Sequence, residues 1–442
     1  MQNIKLNLFS ILFLLSLSIT MHSCLEAPNT YSGLPPGIWR GILKLDYTPP
    51  VNKEVKAEDV TSGRLKIEEV PEGELPFNFE VKYITKDSFI LEFRNADERI
   101  VASNIKFGRD IRTAKDTLYV EFPEYDSYIS AICKESVIEG KFVIRTKENS
   151  DIKFVAYQGK DYRFSELKKT PIADVSGDWE VYFGQDSTDI EKAIGRFSQN
   201  GNYLSGTFLT ETGDYRFMEG TVQGNKLYLS CFDGSHCFLI AALITDKDHI
   251  EGNFRSGKTY KTTWKGTRNS KASLSDPYAM NKILNADANF QWMDDNNQKV
   301  TLADPQFEGK IKLVQIMGTW CPNCKDETNF LNELVKTNKD VAVIGVAFEK
   351  YDNATKAYEH IGKYKKALKV DYPIYFGGKM TKENASNAFP QIDGIKAFPT
   401  LLVIDKNNKI RKVHTGFNGP ATGKYETFKV EFNEMLLQLN GK

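Results

Sequence analysis

Cysteine is scarce in this sequence, and neither sign of charge is in excess. Six cysteines in 442 residues are too few for a fold held together by disulfide bonds. The 58 basic and 58 acidic side chains cancel, so no overall field favours nucleic acid or an anionic lipid surface as a partner. Neither a second Cys-x-x-Cys nor a Cys-x-x-His accompanies Cys321 and Cys324, which argues against a zinc site. We therefore expect no metal, no cofactor and no nucleic-acid partner.

The N-terminal segment predicts export from the cytoplasm. Lys5 supplies a positive charge, and the apolar stretch at 9–19 is too short to span a bilayer as a mature helix. The tetrapeptide Met-His-Ser-Cys that ends at Cys24 resembles a bacterial lipobox, in which this cysteine carries the lipid. Ordinary signal cleavage, with Cys24 incidental, is the alternative. We expect a signal peptide over 1–23, a linker over 24–36, and a lipid-anchored protein that faces the periplasm, with the outer membrane favoured.

The next 230 or so residues contain an internal repeat, and the chain is long enough for about three domains. The matched stretches include Gly37-Ile-Trp39 with Gly177-Asp-Trp179, and Ile138-Glu-Gly140 with Ile250-Glu-Gly252. Apolar residues at period two and regularly spaced turn residues predict short antiparallel strands in each copy. We predict barrel- or sandwich-like β repeats over 37–168 and 177–268, followed by a linker over 269–286.

The second repeat contains two cysteines close together. Cys231 and Cys237 flank the turn Asp233-Gly-Ser235, and with a three-residue loop they would face each other across a hairpin and could form a disulfide. Two small buried thiols are the alternative. The adjacent His236 does not complete a zinc spacing. Neither repeat shows a catalytic constellation, and binding of a ligand or a partner protein by the repeats is the broad alternative.

The stretch Gly318-Thr-Trp320-Cys321-Pro-Asn-Cys324 carries the chemistry of the chain. The apolar run at 311–317 predicts a buried strand before it, and residues 322–337 predict a helix after it. Both cysteines then lie at a helix N-terminus, where the helix dipole stabilises a thiolate. Cys321 is the expected nucleophile. Cys324 lies on the same helix face and is expected to attack the mixed disulfide and release the reduced substrate.

Residues 287–442 predict a layered α/β domain with a central mixed sheet. Its predicted elements are a hairpin at 290–302, strands at 311–317, 341–348, 372–376, 401–404 and 409–414, and helices at 322–337, 353–368 and 423–439.

This domain resembles the thioredoxin-fold domains of the TlpA/ResA type, exported disulfide reductases of the bacterial envelope. The shared motifs are residues 318–324, Val343-Ile-Gly-Val346 and Ala397-Phe398-Pro399-Thr400. The resemblance implies a protein disulfide reductase with a disulfide-containing protein substrate and an electron donor, on an exported lipoprotein of Bacteroidetes type. It also implies that Pro399 is cis and lies opposite Cys321, and that the backbone of Phe398 pairs with an extended substrate. Trp320 is expected to shield the site.

Two features depart from the usual thioredoxin pattern. Gln315 stands six residues before Cys321, where many thioredoxins have a buried Asp that acts as a base. Glu349, just after the second strand, is our candidate for the missing proton acceptor of Cys324, and a solvated strand-end carboxylate is the alternative. No histidine separates the cysteines, which favours reduction over oxidation of substrates.

Two other functions compete with the reductase. A thiol peroxidase of the peroxiredoxin class would need Thr or Ser three residues before its reactive cysteine and a Pro further upstream, whereas this chain has Gly318 and Val314. Alternatively, the protein is a non-enzymatic envelope lipoprotein that binds its target through the β repeats.

Overall fold

The computed structural model describes residues 31–46, 70–184 and 190–441. The predicted signal peptide and Cys24 lie outside these ranges. Within them, no helix combines the length and the apolar character that a membrane crossing requires. The chain is multidomain and rich in β-structure, with two barrel-like sheets before an α/β domain. This is the predicted fold class.

The first repeat is an antiparallel sheet of nine strands, counted over the described residues. They are β1 Gly37–Lys44, β2 Glu74–Thr85, β3 Ser88–Asn95, β4 Glu98–Ala102, β5 Asn104–Asp110, β6 Lys115–Phe122, β7 Ser127–Lys134, β8 Val137–Ile144 and β9 Ile152–Gln158. The first strand pairs with both β2 and β9, so the sheet curls back on itself. Strands β4 and β5 are the two edges of the sheet, and only Ser103 separates them in the chain.

The second repeat closes completely. Its strands are β10 Gly177–Phe183, β11 Glu191–Asn200, β12 Tyr203–Thr210, β13 Gly213–Asp214, β14 Met218–Gln223, β15 Lys226–Phe232, β16 Cys237–Ile244, β17 His249–Ser256 and β18 Tyr260–Arg268. Strand β10 pairs with β11 and β18, and β11 also pairs with β12, which completes an antiparallel ring around an apolar core. Closure leaves this ring without free edges.

The two copies share a structural detail at their first strands. The indole of Trp39 donates a hydrogen bond to the carbonyl of Pro35 at 3.1 Å. The indole of Trp179 donates one to Val175 at 2.9 Å, at the same separation in sequence. In both copies the glycine two positions before the tryptophan has a positive φ. The repeat seen in the sequence therefore corresponds to a repeated structure.

The two barrels share part of a core. Phe232, at the end of β15, points out of its own barrel and packs among the aromatic rings inside the first one. Its ring centroid lies 4.4 Å from that of Phe77 and 5.1 Å from that of Phe142. The first sheet thus completes its apolar interior with a side chain of the second repeat, and the barrels form one β unit.

The hairpin geometry rules out the disulfide that we considered between Cys231 and Cys237. Both thiols are free. Cys231 pairs with Phe238, and Cys237 pairs with Phe232. Since neighbouring residues in a strand point to opposite faces, one cysteine lies inside the second barrel and the other faces the first. The loop has four residues rather than three, and this shifts the cysteines off register.

The third domain contains a two-stranded hairpin and a five-stranded mixed sheet of order β23-β22-β21-β24-β25. Its elements are β19 Gln291–Met293, β20 Lys299–Thr301, β21 Ile311–Met317, α1 Pro322–Thr337, β22 Val341–Glu349, α2 Ala354–Leu368, β23 Ile374–Lys379, α3 Lys382–Ala388, β24 Thr400–Ile404, β25 Ile410–Thr415 and α4 Lys424–Asn440. Every residue of β21 is buried, because apolar clusters cover both faces of the sheet. This strand positions the cysteine motif at the start of α1. The short helix α3 was not predicted from the sequence.

Candidate active site

The two cysteines of the motif lie at the N-terminus of α1. Cys321 is the N-cap residue, and its sulfur accepts a hydrogen bond from the backbone N–H of Cys324 at 3.3 Å. Pro322 occupies the first helical position. A backbone N–H there would have no partner within the helix, so the proline, which has none, costs little. Cys321 is 6% exposed and Cys324 is fully buried. Helix N–H groups and the helix dipole therefore favour negative charge on Cys321.

Three residues singled out from the sequence surround Cys321. The Phe398–Pro399 peptide bond is cis. The Cys321 thiol donates to the carbonyl of Phe398 over 3.6 Å. The indole of Trp320 donates to Phe348 at 2.8 Å, and its ring meets the Phe398 ring edge-on at 5.6 Å. An aromatic pair and a cis-proline loop thus flank the sulfur.

The carboxylate of Glu349 is buried and bound to the turn before Cys321. One oxygen accepts from the backbone N–H of Thr319 at 2.9 Å, and the other accepts from its hydroxyl at 2.7 Å. Burial raises the pKa of Glu349, and the two hydrogen bonds oppose that rise. Both oxygens thereby hold Thr319 two residues before the nucleophile. A role in accepting the proton of Cys324 stays a prediction.

A second buried carboxyl group, Glu327, escaped the sequence analysis. Its side chain is fully buried, and neither oxygen has a hydrogen-bond partner among the described residues. Burial raises its pKa to about 8, and the neighbouring Gln315 side chain offsets only part of that rise. Burial raises the pKa of Cys324 well above its usual range, and the charge of Glu327 adds to this effect. An acid with a pKa near neutrality therefore lies beside the buried thiol.

One signal in the sequence could have identified Glu327. It follows Cys324 by three residues, and residues at that spacing lie on the same helix face. The spacing places this carboxyl group on the face of Cys324, and the packing of the fold buries it there.

Gln315 connects the strand before the cysteines to the helix that follows them. Its amide N–H donates to the carbonyl of Cys324 at 3.1 Å. Its carbonyl oxygen accepts from the hydroxyls of Thr328 at 3.1 Å and Tyr372 at 3.2 Å. The side chain that replaces the usual Asp thus ties β21 to α1 and cannot act as a base. Over the described residues, no group of three or more His, Cys, Asp and Glu side chains could hold a metal ion.

Comparison with known proteins gives relatives for the C-terminal part of the chain. The family model described as Redoxin matches residues 281–428. Thiol-disulfide oxidoreductase ResA of Geobacillus thermodenitrificans is 27% identical over 112 residues, which cover 25% of this chain and 57% of that protein. Thiol:disulfide interchange protein DsbE of Vibrio cholerae is 32% identical over 113 residues, covering 25% and 52%. The chain thus spans little more than half the length of these two relatives.

A solved structure, the thiol-disulfide oxidoreductase from Bacteroides fragilis, aligns with 33% of this chain and 98% of its own. The TM-score is 0.25 at 18% identity, which is too low to support an argument. The family match and the sequence relatives concern the domain that holds Cys321 and Cys324. Residues 281–428 therefore form a Redoxin domain with a fold of the TlpA/ResA type.

Proposed function

We propose that the protein is a thiol–disulfide oxidoreductase of the cell envelope that reduces protein disulfides through Cys321 and Cys324. The observation that carries the proposal is the place of the Cys321 sulfur, which caps α1 and lies beside the cis Phe398–Pro399 bond. The names and sequence similarity of the ResA and DsbE relatives support the same chemistry.

The reaction proceeds in two exchanges. The Cys321 thiolate attacks one sulfur of the substrate disulfide, and the other substrate sulfur leaves as a thiolate that takes a proton from water. Cys324 loses its proton and attacks the Cys321 sulfur, which releases the second substrate thiolate, and this thiolate also takes a proton from water. The substrate gains two electrons and two protons, and the enzyme keeps a Cys321–Cys324 disulfide. A separate dithiol donor must return it to the reduced form.

Glu327 acts in the second exchange. We assign the proton of Cys324 to its carboxylate, because Glu327 is buried on the same face of α1 and its raised pKa makes it a stronger base. A carboxyl group with its ordinary pKa would be too weak a base for this transfer near neutral pH. Glu349 acts through Thr319, which it holds in place before Cys321.

The proposal includes export and a lipid anchor on Cys24, supported by the sequence of residues 1–24. Labelling cells with a palmitate analogue tests the anchor. We expect label on the wild-type protein and none on Cys24→Ser. Equal labelling of the two proteins would remove the anchor from the account.

The experiment for the activity is insulin reduction by the purified protein with dithiothreitol as donor. We expect turnover by the wild type and none above background by Cys321→Ser. Hydrogen peroxide consumption is measured in parallel to test the peroxidase alternative. Peroxide turnover at rates that rival disulfide reduction would favour that alternative.

A further inference from the structure

The second barrel reaches the active site through one turn. The turn at 211–216 follows β12 and contains β13, and its Gly213 forms a parallel bridge with Phe417 of the Redoxin domain. The carboxylate of Asp214 accepts a hydrogen bond from the backbone N–H of Gly419 at 2.6 Å. The turn therefore pairs, through its backbone and one side chain, with the loop after β25.

That loop adjoins the cis-proline turn, which itself contacts the catalytic sulfur. Gly416 donates its N–H to the carbonyl of Pro399 at 2.8 Å, so the loop lies directly against the cis-proline turn. On its other side a Cβ added at Gly416 would come within 2.8 Å of the carbonyl oxygen of Glu211. The loop is thus held between the cis-proline turn and the barrel.

The barrel turn also contacts the motif between the two cysteines. A Cβ added at Gly213 would lie 2.5 Å from the carbonyl oxygen of Phe417 and 2.9 Å from Cγ of Asn323. The φ of Gly213 is +136°, a conformation that side chains rarely adopt. Glycine is therefore required here for two separate reasons, and a larger residue would push the turn away from Asn323.

Buried charges fix the turn in this position. Arg216 forms ion pairs with Asp326 of α1 and with Glu98 of the first barrel, and all three side chains are largely buried. Lys325 pairs with Glu124 of the first barrel at 3.2 Å. The residues that follow Cys324 are therefore tied to both barrels.

The barrel turn thus contacts the residue between the two cysteines, whereas two other neighbours of Cys321 stay partly exposed. Asn323 and Phe417 meet the turn, and Trp320 and Phe398 are half-buried. We expect a disulfide to reach the sulfur across Trp320 and Phe398. A wall at Asn323 restricts a broad folded surface more than a small disulfide or a narrow extended segment.

We propose that the 211–216 turn is a specificity-determining wall of the substrate groove, which favours small or extended disulfides over those held in a folded protein. This inference rests on the proposed reductase function. It gives the β repeats a part in substrate selection through direct contact with the active site.

The test compares Gly213→Val with Gly201→Val in the purified full-length protein. Gly201 lies in another turn of the same barrel with a φ of +59°, and a Cβ added there would meet nothing within 4 Å. Both variants place a β-branched side chain at a positive φ, with the greater strain at Gly213, and only the first displaces the wall. The kcat/KM is measured for insulin and for the small disulfide DTNB, and circular dichroism checks folding.

We expect Gly213→Val to raise the ratio of insulin to DTNB kcat/KM at least threefold, and Gly201→Val to leave it at the wild-type value. If Gly213→Val folds poorly, Asp214→Ala removes the hydrogen bond to Gly419 and should raise the ratio in the same way. A ratio that is unchanged or lower in the wall variants, with Cys321-dependent reduction intact, overturns the inference alone. Absence of Cys321-dependent reduction of either compound in the wild type overturns the proposed function instead.

Discussion

Glu327 lies one helical turn beyond Cys324, and both side chains are completely buried on the same face of α1. Neither group ionises readily there, since burial disfavours the charged form of each. A negative charge on Glu327 further raises the pKa of Cys324. A base buried on the same helix face as the resolving thiol is the arrangement that the second exchange requires.

The first prediction concerns the rate of that exchange. In the wild type, release of substrate from the mixed disulfide should accelerate as the pH rises through about 8, because Glu327 becomes an available base. Glu327→Gln should slow this step about tenfold or more and remove the dependence on that pKa. Rapid-quench measurement of the mixed disulfide between pH 6 and 10 checks it. Glu333→Gln, at an exposed position of the same helix, is the control.

The second prediction concerns the change of stability with pH. The carboxyl group of Glu327 determines the direction of that change. The pKa of Glu327 is raised from 4.5 to about 8 in the folded protein, so folding favours the protonated form. The stabilisation is complete below about pH 4.5 and is lost as the pH rises through about 8. The difference between these two pKa values corresponds to at most about 5 kcal/mol in the free energy of unfolding. Glu327→Gln should flatten this decline in urea denaturation curves, and a parallel decline in both proteins would contradict it.

Much of the Redoxin domain could be predicted from the sequence. The bounds of β21 and α1 agree with the prediction, because an all-apolar run and a capped helix start are local signals. Strand alternation and the repeated Gly-x-Trp likewise led to two β repeats. Each sheet also depends on the pairing of its first and last strands, such as β10 with β18, which lie far apart in the chain.

Other features depend on contacts that no local pattern reveals. Asp214 and Gly419 meet although they are 205 residues apart, so the wall beside Cys321 could not be foreseen. The spacing of Glu327 from Cys324 indicates its helix face, but the burial of its side chain depends on the elements that pack against that face. One additional residue in the loop decides which faces of the hairpin Cys231 and Cys237 occupy.

The third prediction separates Glu349 from Glu327. Glu349→Gln should slow exchange near neutral pH whether Glu349 positions Thr319, as we propose, or accepts the proton of Cys324. The geometry adds a second test, since both carboxylate oxygens bind Thr319. Thr319→Val, which keeps the backbone N–H and loses the hydroxyl, should reproduce part of the defect if Glu349 only positions the turn. An unaltered pH–rate profile in Glu349→Gln would remove Glu349 from proton transfer.

The fourth prediction concerns the ion cluster between the domains. Arg216→Met would leave Asp326 and Glu98 buried without their cation and should lower the free energy of unfolding by about 3–5 kcal/mol. Chemical denaturation measures the change. Arg109→Met breaks an exposed pair with Asp116 and should change stability by no more than about 1 kcal/mol. Similar losses in the two variants would contradict a structural role for the buried cluster.

The central claim is that Cys321 attacks substrate disulfides and Cys324 resolves the product. Cys324→Ser leaves the nucleophile in place and removes the resolving thiol, so the mixed disulfide with substrate should accumulate. The most direct measurement is mass spectrometry of this variant after incubation with insulin. We predict an insulin chain joined to Cys321 that dithiothreitol releases and that is absent from Cys321→Ser. A Cys324→Ser protein that reduces insulin without forming this adduct would contradict the account.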